Sequence, residues 1–88
     1  PYWGPLSGAY ATVGGALSQN SLFHGSGVGG TAAETVVGLK VVLADGSVVT
    51  TGSWAHKHSK PFWRHFGPDF TGLFTADTGA MGVKAMAA

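Results

Sequence analysis

The strongest structural signal in the sequence is an Asp-Gly pair between two runs rich in β-branched residues. Asp45 and Gly46 separate the mainly apolar run 35–44 from the run 47–51. A type I′ turn needs a positive φ at both central residues, and Asp-Gly is one of the pairs that adopt it most readily. The sequence therefore predicts a β-hairpin with a two-residue loop.

The length of this loop also predicts which side chains share a face of the hairpin. A two-residue loop places Leu43 opposite Val48 and Val41 opposite Thr50, with Leu39 on the same face. The other face then carries Lys40, Val42, Ala44, Ser47, Val49 and Thr51. We expect the first face to be buried and the second to be partly hydrated.

The segments around the hairpin predict short helices, loops and one more strand. Thr12 is a good N-cap for a short helix whose first turn is nearly bare backbone, and Pro68 suits the first position of a helix that ends at Phe74. The four glycines in 21–30 predict a loop, the segment 52–67 predicts an irregular excursion, and a final strand is expected from about Gly82 to Ala88. The predicted fold class is α+β, a mainly antiparallel sheet with a few short helices.

Composition and charge exclude several functional classes. The chain has no Cys, so disulfides, thiolate metal sites and a cysteine nucleophile are excluded. The net charge is +1, and the longest apolar runs are far shorter than the roughly 20 residues of a membrane-spanning helix. We therefore expect no nucleic-acid partner and no membrane span.

Only 10% of the residues are charged, against about 25% in soluble domains, so we expect other parts of a larger protein to cover much of this surface.

Few residues are suited to catalysis or to metal binding. The carboxylates are scattered, which makes a hydrolase with paired carboxylates improbable. His56 and His58 could be two metal ligands on one strand face with His65 nearby, but no acidic or thiol ligand accompanies them. We expect neither a catalytic residue nor a metal site, and a metal-dependent hydrolase ranks last among the functions considered.

One glycine motif matches the dinucleotide-binding fingerprint only by its letters. The spacing Gly25-x-Gly27-x-x-Gly30 fits, but the fingerprint also requires a buried strand before it and a helix after it. The residues upstream are polar, and a strand is predicted downstream. We interpret the match as a result of glycine abundance.

Three other segments rich in glycine and polar residues have a characteristic order. They are Pro5-x-Ser7 leading to Thr12-Val13-Gly14-Gly15, the polar run Ser18-Gln19-Asn20-Ser21, and Thr78-Gly79-Ala80-Met81-Gly82-Val83. The hairpin segment and the segment 67–74 lie between them. In order and spacing, this set resembles the FAD-linked oxidase family, the flavoproteins of the vanillyl-alcohol oxidase and p-cresol methylhydroxylase type. The resemblance extends from about Pro5 to Ala88.

The resemblance implies a domain organisation and an activity. The whole chain, residues 1–88, corresponds to the second subdomain of an FAD-binding domain, so it is a partial FAD-binding unit. The first FAD subdomain is expected before it, and a cap domain for the small-molecule substrate is expected after it. The implied function is the FAD-binding portion of a flavin-dependent oxidoreductase that oxidises a hydroxy acid or another alcohol through flavin N5. This chain by itself is expected to be inactive, with the remainder of the flavoprotein as its partner.

The resemblance also implies which residues contact FAD. The cofactor has a dianionic pyrophosphate and flat rings, so its site needs amide and hydroxyl donors and glycines that allow close approach. The implied contact residues are Ser7, Thr12, Val13, Gly14, Gly15, Gln19, Asn20, Ser21, Thr78, Gly79, Gly82 and Val83. Two departures from the family pattern stand out: Leu22-Phe23 replaces a usual Gly-Gly, and Thr78 stands where a Glu is usual. None of the four histidines matches a position that attaches flavin covalently.

A second interpretation treats the chain as a binding module without enzymatic activity. The segment from Trp54 to Trp63 combines aromatic and basic residues, which are common at protein interfaces. In this alternative, the segment is the recognition surface of a β-rich interaction module.

Overall fold

The computed structural model describes residues 6, 8–65 and 67–88, which form one antiparallel sheet with short helices around it. The strands are β1 (Leu39–Val42), β2 (Val48–Thr50) and β3 (Val83–Ala87), in the order β2-β1-β3. The helices are α1 (Val13–Ser18), α2 (Ser26–Gly29) and α3 (Ala32–Thr35), and 3₁₀ turns cover Gly8–Tyr10, Gly52–Ala55 and Thr71–Phe74. The predicted α+β class is confirmed, as is the final strand. Ser7 lies outside the described residues.

The hairpin is present, but its predicted register is wrong by one residue. Leu43 N donates to Ser47 O at 2.9 Å and Gly46 N donates to Leu43 O at 2.9 Å, so the loop has three residues, 44–46. Gly46 has a φ of +85°, whereas Asp45 has no positive φ, as a type I turn followed by a bulge requires. The Asp45 carboxylate accepts hydrogen bonds from the amide and the hydroxyl of Ser47, which stabilises this longer loop.

The one-residue difference exchanges the faces of β2. Val41 pairs with Val49 and Val42 pairs with Val48. Val49 therefore packs against the buried core, and Val48 is 61% exposed. The expectation that Val48 and Thr50 face the core is wrong.

A pair of matched substitutions distinguishes the two registers. Val49→Thr is expected to lower the free energy of unfolding by roughly 1–2 kcal/mol, because it places a hydroxyl against the core. Val48→Thr is expected to have an effect within about 0.5 kcal/mol, since the side chain faces solvent. Both variants keep a β-branched residue, so strand propensity is matched. Urea unfolding measures both, and a larger loss for Val48→Thr would contradict the observed register.

The core lies between β1 and the helices. Leu39 and Val41 of β1 are fully buried, and Leu17 of α1 packs in the same cluster. The remaining members are Ala16, Phe23, Ala32, Val36 and Phe74. The small residues Ala16 and Ala32 let α1 and α3 approach closely. None of the described helices has the length and apolar character to cross a membrane.

Two further predictions need correction. The glycine pattern of segment 21–30 predicts a loop, but the segment contains α2, whose Ser26 hydroxyl accepts from Phe23 N at 2.7 Å. The helix expected from Pro68 to Phe74 is only the 3₁₀ turn Thr71–Phe74. There Asp69 accepts from Gly72 N at 3.1 Å and also binds Arg64, and such side-chain bonds compete with helical ones.

Candidate functional site

The start of α1 and the turn before β3 form the two walls of one open groove. Its volume is about 390 Å³, in the lower part of the range of roughly 300–1,000 Å³ typical of small-molecule sites. The lining residues are Thr12, Gly14, Gly15, Ser18, Gly79, Gly82, Val83 and Lys84. Two segments more than sixty residues apart in the sequence thus meet at one surface.

The α1 wall begins with the predicted N-cap. Thr12 has an extended backbone, and its hydroxyl accepts from Gly15 N at 3.0 Å. This contact fixes the first turn of the helix, and the two glycines leave main chain at the surface. A Cβ added at Gly14 would lie 3.4 Å from Lys84 O, so glycine also lets α1 sit close to β3.

The opposite wall is a turn of unusual backbone conformation. Ala76, Thr78 and Gly79 have φ values of +57°, +52° and +85°. Two hydrogen bonds attach this turn to the end of α1: Ala76 N donates to Leu17 O and Thr78 N donates to Ser18 O, each at 2.9 Å. Non-glycine residues in the left-handed region need such external support, because the conformation is costly for a residue with a Cβ.

A buried ion pair stabilises the inside of this turn, hereafter the 78–82 turn. The side chains of Lys84 and Asp77 are only 2% and 5% exposed. Lys84 Nζ donates to both carboxylate oxygens of Asp77 and to Gly82 O. The same carboxylate accepts from Gly79 N at 2.9 Å and from Met81 N at 3.1 Å.

The electrostatics of Asp77 follow from these contacts. Burial raises the pKa of Asp77, but the hydrogen bonds from Lys84 and from the amides of Gly79 and Met81 outweigh burial, and the pKa lies below its ordinary value. The carboxylate is therefore ionised at neutral pH, and the pair adds no net charge to the groove.

Gly82 is the point where the turn meets β1. Its φ is +146°, and a Cβ there would lie 2.6 Å from Val41 Cγ1 and 2.8 Å from Val42 O. A second cavity of about 270 Å³ lies on the β1 side of the same turn, between residues 42–44 and 79–83. The turn thus separates two adjoining cavities.

The structure brings together half of the twelve predicted contact residues. Those that line the groove are Thr12, Gly14, Gly15, Gly79, Gly82 and Val83. Thr78 lies beside the groove, and its hydroxyl donates to Asp77 O at 2.7 Å. Val13 lines an apolar cavity of about 370 Å³ on another side of α1.

The predicted contacts in 19–21 lie at the other end of α1. Gln19 is the C-cap and is exposed. Asn20 Oδ1 accepts from Ala33 N at 2.9 Å, and Ser21 O accepts from Ala32 N at 3.0 Å, so these residues attach α3 to α1. None of the three lines the groove, and their predicted contact with FAD stays a prediction.

Sequence reasoning missed three residues of the site. Ser18 and Lys84 line the groove, and Asp77 stabilises the 78–82 turn. One signal was available: Lys84 is the only charged residue in an otherwise apolar strand, and Asp77 lies seven residues before it across a turn.

For the histidines, no group of three His, Asp or Glu side chains that could hold a metal ion occurs in residues 6, 8–65 and 67–88.

Comparisons with known proteins matched the chain to a family. The model of a family described as an FAD binding domain matches residues 2–52, more than half of the chain. The match includes α1, with the Thr12–Gly15 wall of the groove, and extends through the hairpin. No curated protein and no solved structure matches the chain.

Proposed function

Because the chain belongs to the FAD-binding domain family, whose model matches residues 2–52, we propose that it holds part of FAD in the groove between α1 and the 78–82 turn. The resemblance to FAD-linked oxidases is thereby confirmed at the level of the family, and FAD is the cofactor this family binds. The single observation that supports the location is that glycine-rich main chain from two distant segments faces one groove.

The residues present fit a phosphate-bearing cofactor in their chemistry. Both walls are mostly main chain, since Gly14, Gly15, Gly79 and Gly82 line the groove without side chains. A Cβ added at Gly79 would meet nothing within 4 Å, so this position leaves space for a ligand to approach. The hydroxyls of Thr12 and Ser18 add polar groups at the surface. Because Gly15 N and Gly79 N already donate to Thr12 and Asp77, we assign the contacts with phosphate and ribose oxygens to the hydroxyls of Thr12 and Ser18.

In the proposed mechanism, this chain binds FAD, and the cofactor carries out the oxidation. When bound, FAD supplies a hydride acceptor at flavin N5, suited to the oxidation of a hydroxy acid or another alcohol. The α1 wall contributes Thr12 and Ser18 as hydrogen-bonding groups, and the 78–82 turn contributes main chain beside the cofactor. Lys84 is the only titratable residue among those that line the groove, and it is paired with Asp77, so we assign the groove no catalytic residue.

We propose that the chain is the second subdomain of a larger FAD-binding domain. Its exposed large apolar residues include Tyr10 and Val28, each 98% exposed, and only a tenth of the chain is charged. Such a surface is expected to pack against the first FAD subdomain and a substrate-binding cap in the same flavoprotein. Because we place only part of FAD in this groove, the first subdomain would hold the rest of the cofactor.

The test is flavin content in the purified flavoprotein that carries this chain. We expect flavin absorbance after purification or on reconstitution with FAD, and a protein that takes up no FAD would overturn the proposal. Ser18→Trp fills the groove from a helical position and is expected to weaken FAD binding by at least about tenfold, because the ring occupies the ligand's volume. The matched control is Glu34→Trp, at an exposed position of helix α3 that does not line the groove, and this variant should bind FAD as the wild type does.

One observation favours the interaction module as a second candidate. Ser53 is buried, and its hydroxyl donates to Lys60 O and accepts from Phe62 N and Trp63 N at 2.8–3.0 Å. This fixes the loop that presents Phe62 and Trp63, which are 72% and 61% exposed and pack edge to face. Rigid exposed aromatic residues suit a protein interface. The same flavin measurement discriminates the candidates, since a module without enzymatic activity would bind no FAD.

A further inference from the structure

We propose that Asp77 and Lys84 form a positioning pair that sets the shape of the 78–82 turn for cofactor binding. The inference rests on the proposed function, because the turn is one wall of the proposed FAD groove. It extends that function by assigning a role to two side chains that are seven residues apart in the sequence. Neither residue is among the predicted FAD contacts.

The Asp77–Lys84 pair holds several main-chain groups of the 78–82 turn. The Asp77 carboxylate accepts from the amides of Gly79 and Met81, and Lys84 Nζ donates to Gly82 O. Two side chains therefore orient three main-chain groups of the turn. The amides bonded to Asp77 point inward, so the pair decides which main-chain groups remain directed at the groove.

The backbone of the turn has an unusual conformation. Thr78, Gly79 and Gly82 all have positive φ values, and Thr78 carries a Cβ that makes this conformation unfavourable. A segment with several residues in sparsely populated conformations keeps one shape only when surrounding contacts over-determine it. The buried ion pair supplies those contacts from the inside, while Ser18 O holds Thr78 N from the α1 side.

Both side chains of the pair are buried. The two side chains are 2% and 5% exposed, so the charged hydrogen bonds are shielded from water and are stronger than at a surface. A buried ion pair is weak evidence for added stability, because desolvation offsets much of the attraction. Its contribution here is the single conformation that it imposes on the turn, and this conformation determines how well a rigid ligand fits.

The main experiment removes both charges together in the flavoprotein that carries this chain. Asp77→Asn with Lys84→Met leaves no unpaired buried charge, so the unfolding free energy is expected to change little. Hydrogen exchange of a peptide covering residues 78–82 is expected to accelerate by at least about tenfold, because an Asn side chain keeps one acceptor oxygen in place of two and a Met side chain has no donor for Gly82 O. The Kd for FAD is expected to rise by about tenfold for the same reason.

The matched control is the other ion pair of the described residues, Arg64 with Asp69, whose side chains are 17% and 30% exposed. Arg64→Gln with Asp69→Asn also removes two opposite charges, but neither residue lines the groove. This control is expected to leave the exchange of 78–82 and the Kd for FAD unchanged. Equal effects of the two double variants would overturn the proposal, because the pair would then act only through general stability.

A second variant keeps the inference testable if the double variant fails to fold. Asp77→Glu retains the charge pair but displaces the carboxylate by one methylene, so it cannot accept from both Gly79 N and Met81 N in the observed geometry. We expect faster exchange of the turn and weaker FAD binding with global stability retained, and unchanged exchange would overturn the positioning role. If the wild-type flavoprotein bound no FAD, the proposed function would fail, whereas the exchange measurements would still decide whether the pair fixes the turn.

Discussion

Gly82→Ala is expected to lower the free energy of unfolding by at least about 3 kcal/mol, through strain and overpacking together. The φ of +146° at Gly82 is a conformation that residues with a Cβ rarely adopt, and the added Cβ would lie 2.6 Å from Val41 Cγ1 and 2.8 Å from Val42 O. Val42 O belongs to β1, the central strand, so it cannot move without disturbing the sheet. Either the turn or the β1–β3 pairing has to shift.

The matched control for this substitution is Gly79→Ala. Gly79 also has a positive φ, +85°, but a Cβ there would meet nothing within 4 Å. Its expected cost is therefore only the backbone strain, about 1–2 kcal/mol. Urea unfolding followed by tryptophan fluorescence measures both variants. Equal losses for the two would show that the close approach of Gly82 to β1 contributes nothing, and would contradict the packing described above.

The hairpin illustrates how far local sequence determines this fold. The Asp-Gly pair correctly predicts where the chain reverses, because positive φ at Gly46 is required in either kind of loop. It does not determine whether Asp45 also adopts a positive φ. The observed loop is stabilised by Ser47, whose amide and hydroxyl both donate to the Asp45 carboxylate. The choice between a two-residue and a three-residue loop thus decides which face of β2 is buried.

The site shows a similar division between local and long-range information. The helix start at Thr12 and the turn into β3 were predictable, because N-capping residues and glycines act within a few residues of their own position. Their meeting in one groove depends on β3 pairing with β1 and on α1 packing over β3, and both are long-range contacts. The resemblance to a family supplied that information for the predicted contact residues.

The polar residues at 19–21 show why residue type alone was insufficient. Side chains of Asn and Ser can bind a ligand, but they can equally satisfy main-chain amides of a neighbouring element. Asn20 bonds Ala33 N, since the first amides of α3 have no partner within that helix. No property of the local sequence distinguishes these two uses, because the partner amide lies thirteen residues further along the chain.

Lys84→Met is expected to lower the free energy of unfolding at neutral pH by roughly 3–5 kcal/mol, because it leaves the Asp77 carboxylate buried without a cation. A loss of this size is a large share of the stability of a small domain, so the variant is expected to be mostly unfolded or readily unfolded by urea. Asp77→Asn in the same chain removes the unpaired charge and is expected to recover most of the loss. A double variant no more stable than Lys84→Met would contradict this account.

The pH dependence of this loss follows from the state of Asp77. In the wild type, the pKa of Asp77 lies below its ordinary value. The contribution of the ion pair to the free energy of unfolding is therefore fully present at pH values above the ordinary pKa of about 3.9. It is lost as the pH falls through the lower pKa of the folded state. In Lys84→Met, the Asp77 carboxylate is buried without a cation, which favours its neutral form. Protonation of Asp77 as the pH falls therefore removes the unpaired charge and reduces the loss of stability. The stability difference between the two proteins is therefore expected to narrow on acidification, measured by urea unfolding at several pH values between neutral and about pH 3. A difference that stays constant over this range would show that Lys84 acts through packing of its aliphatic chain and not through the charge of Asp77.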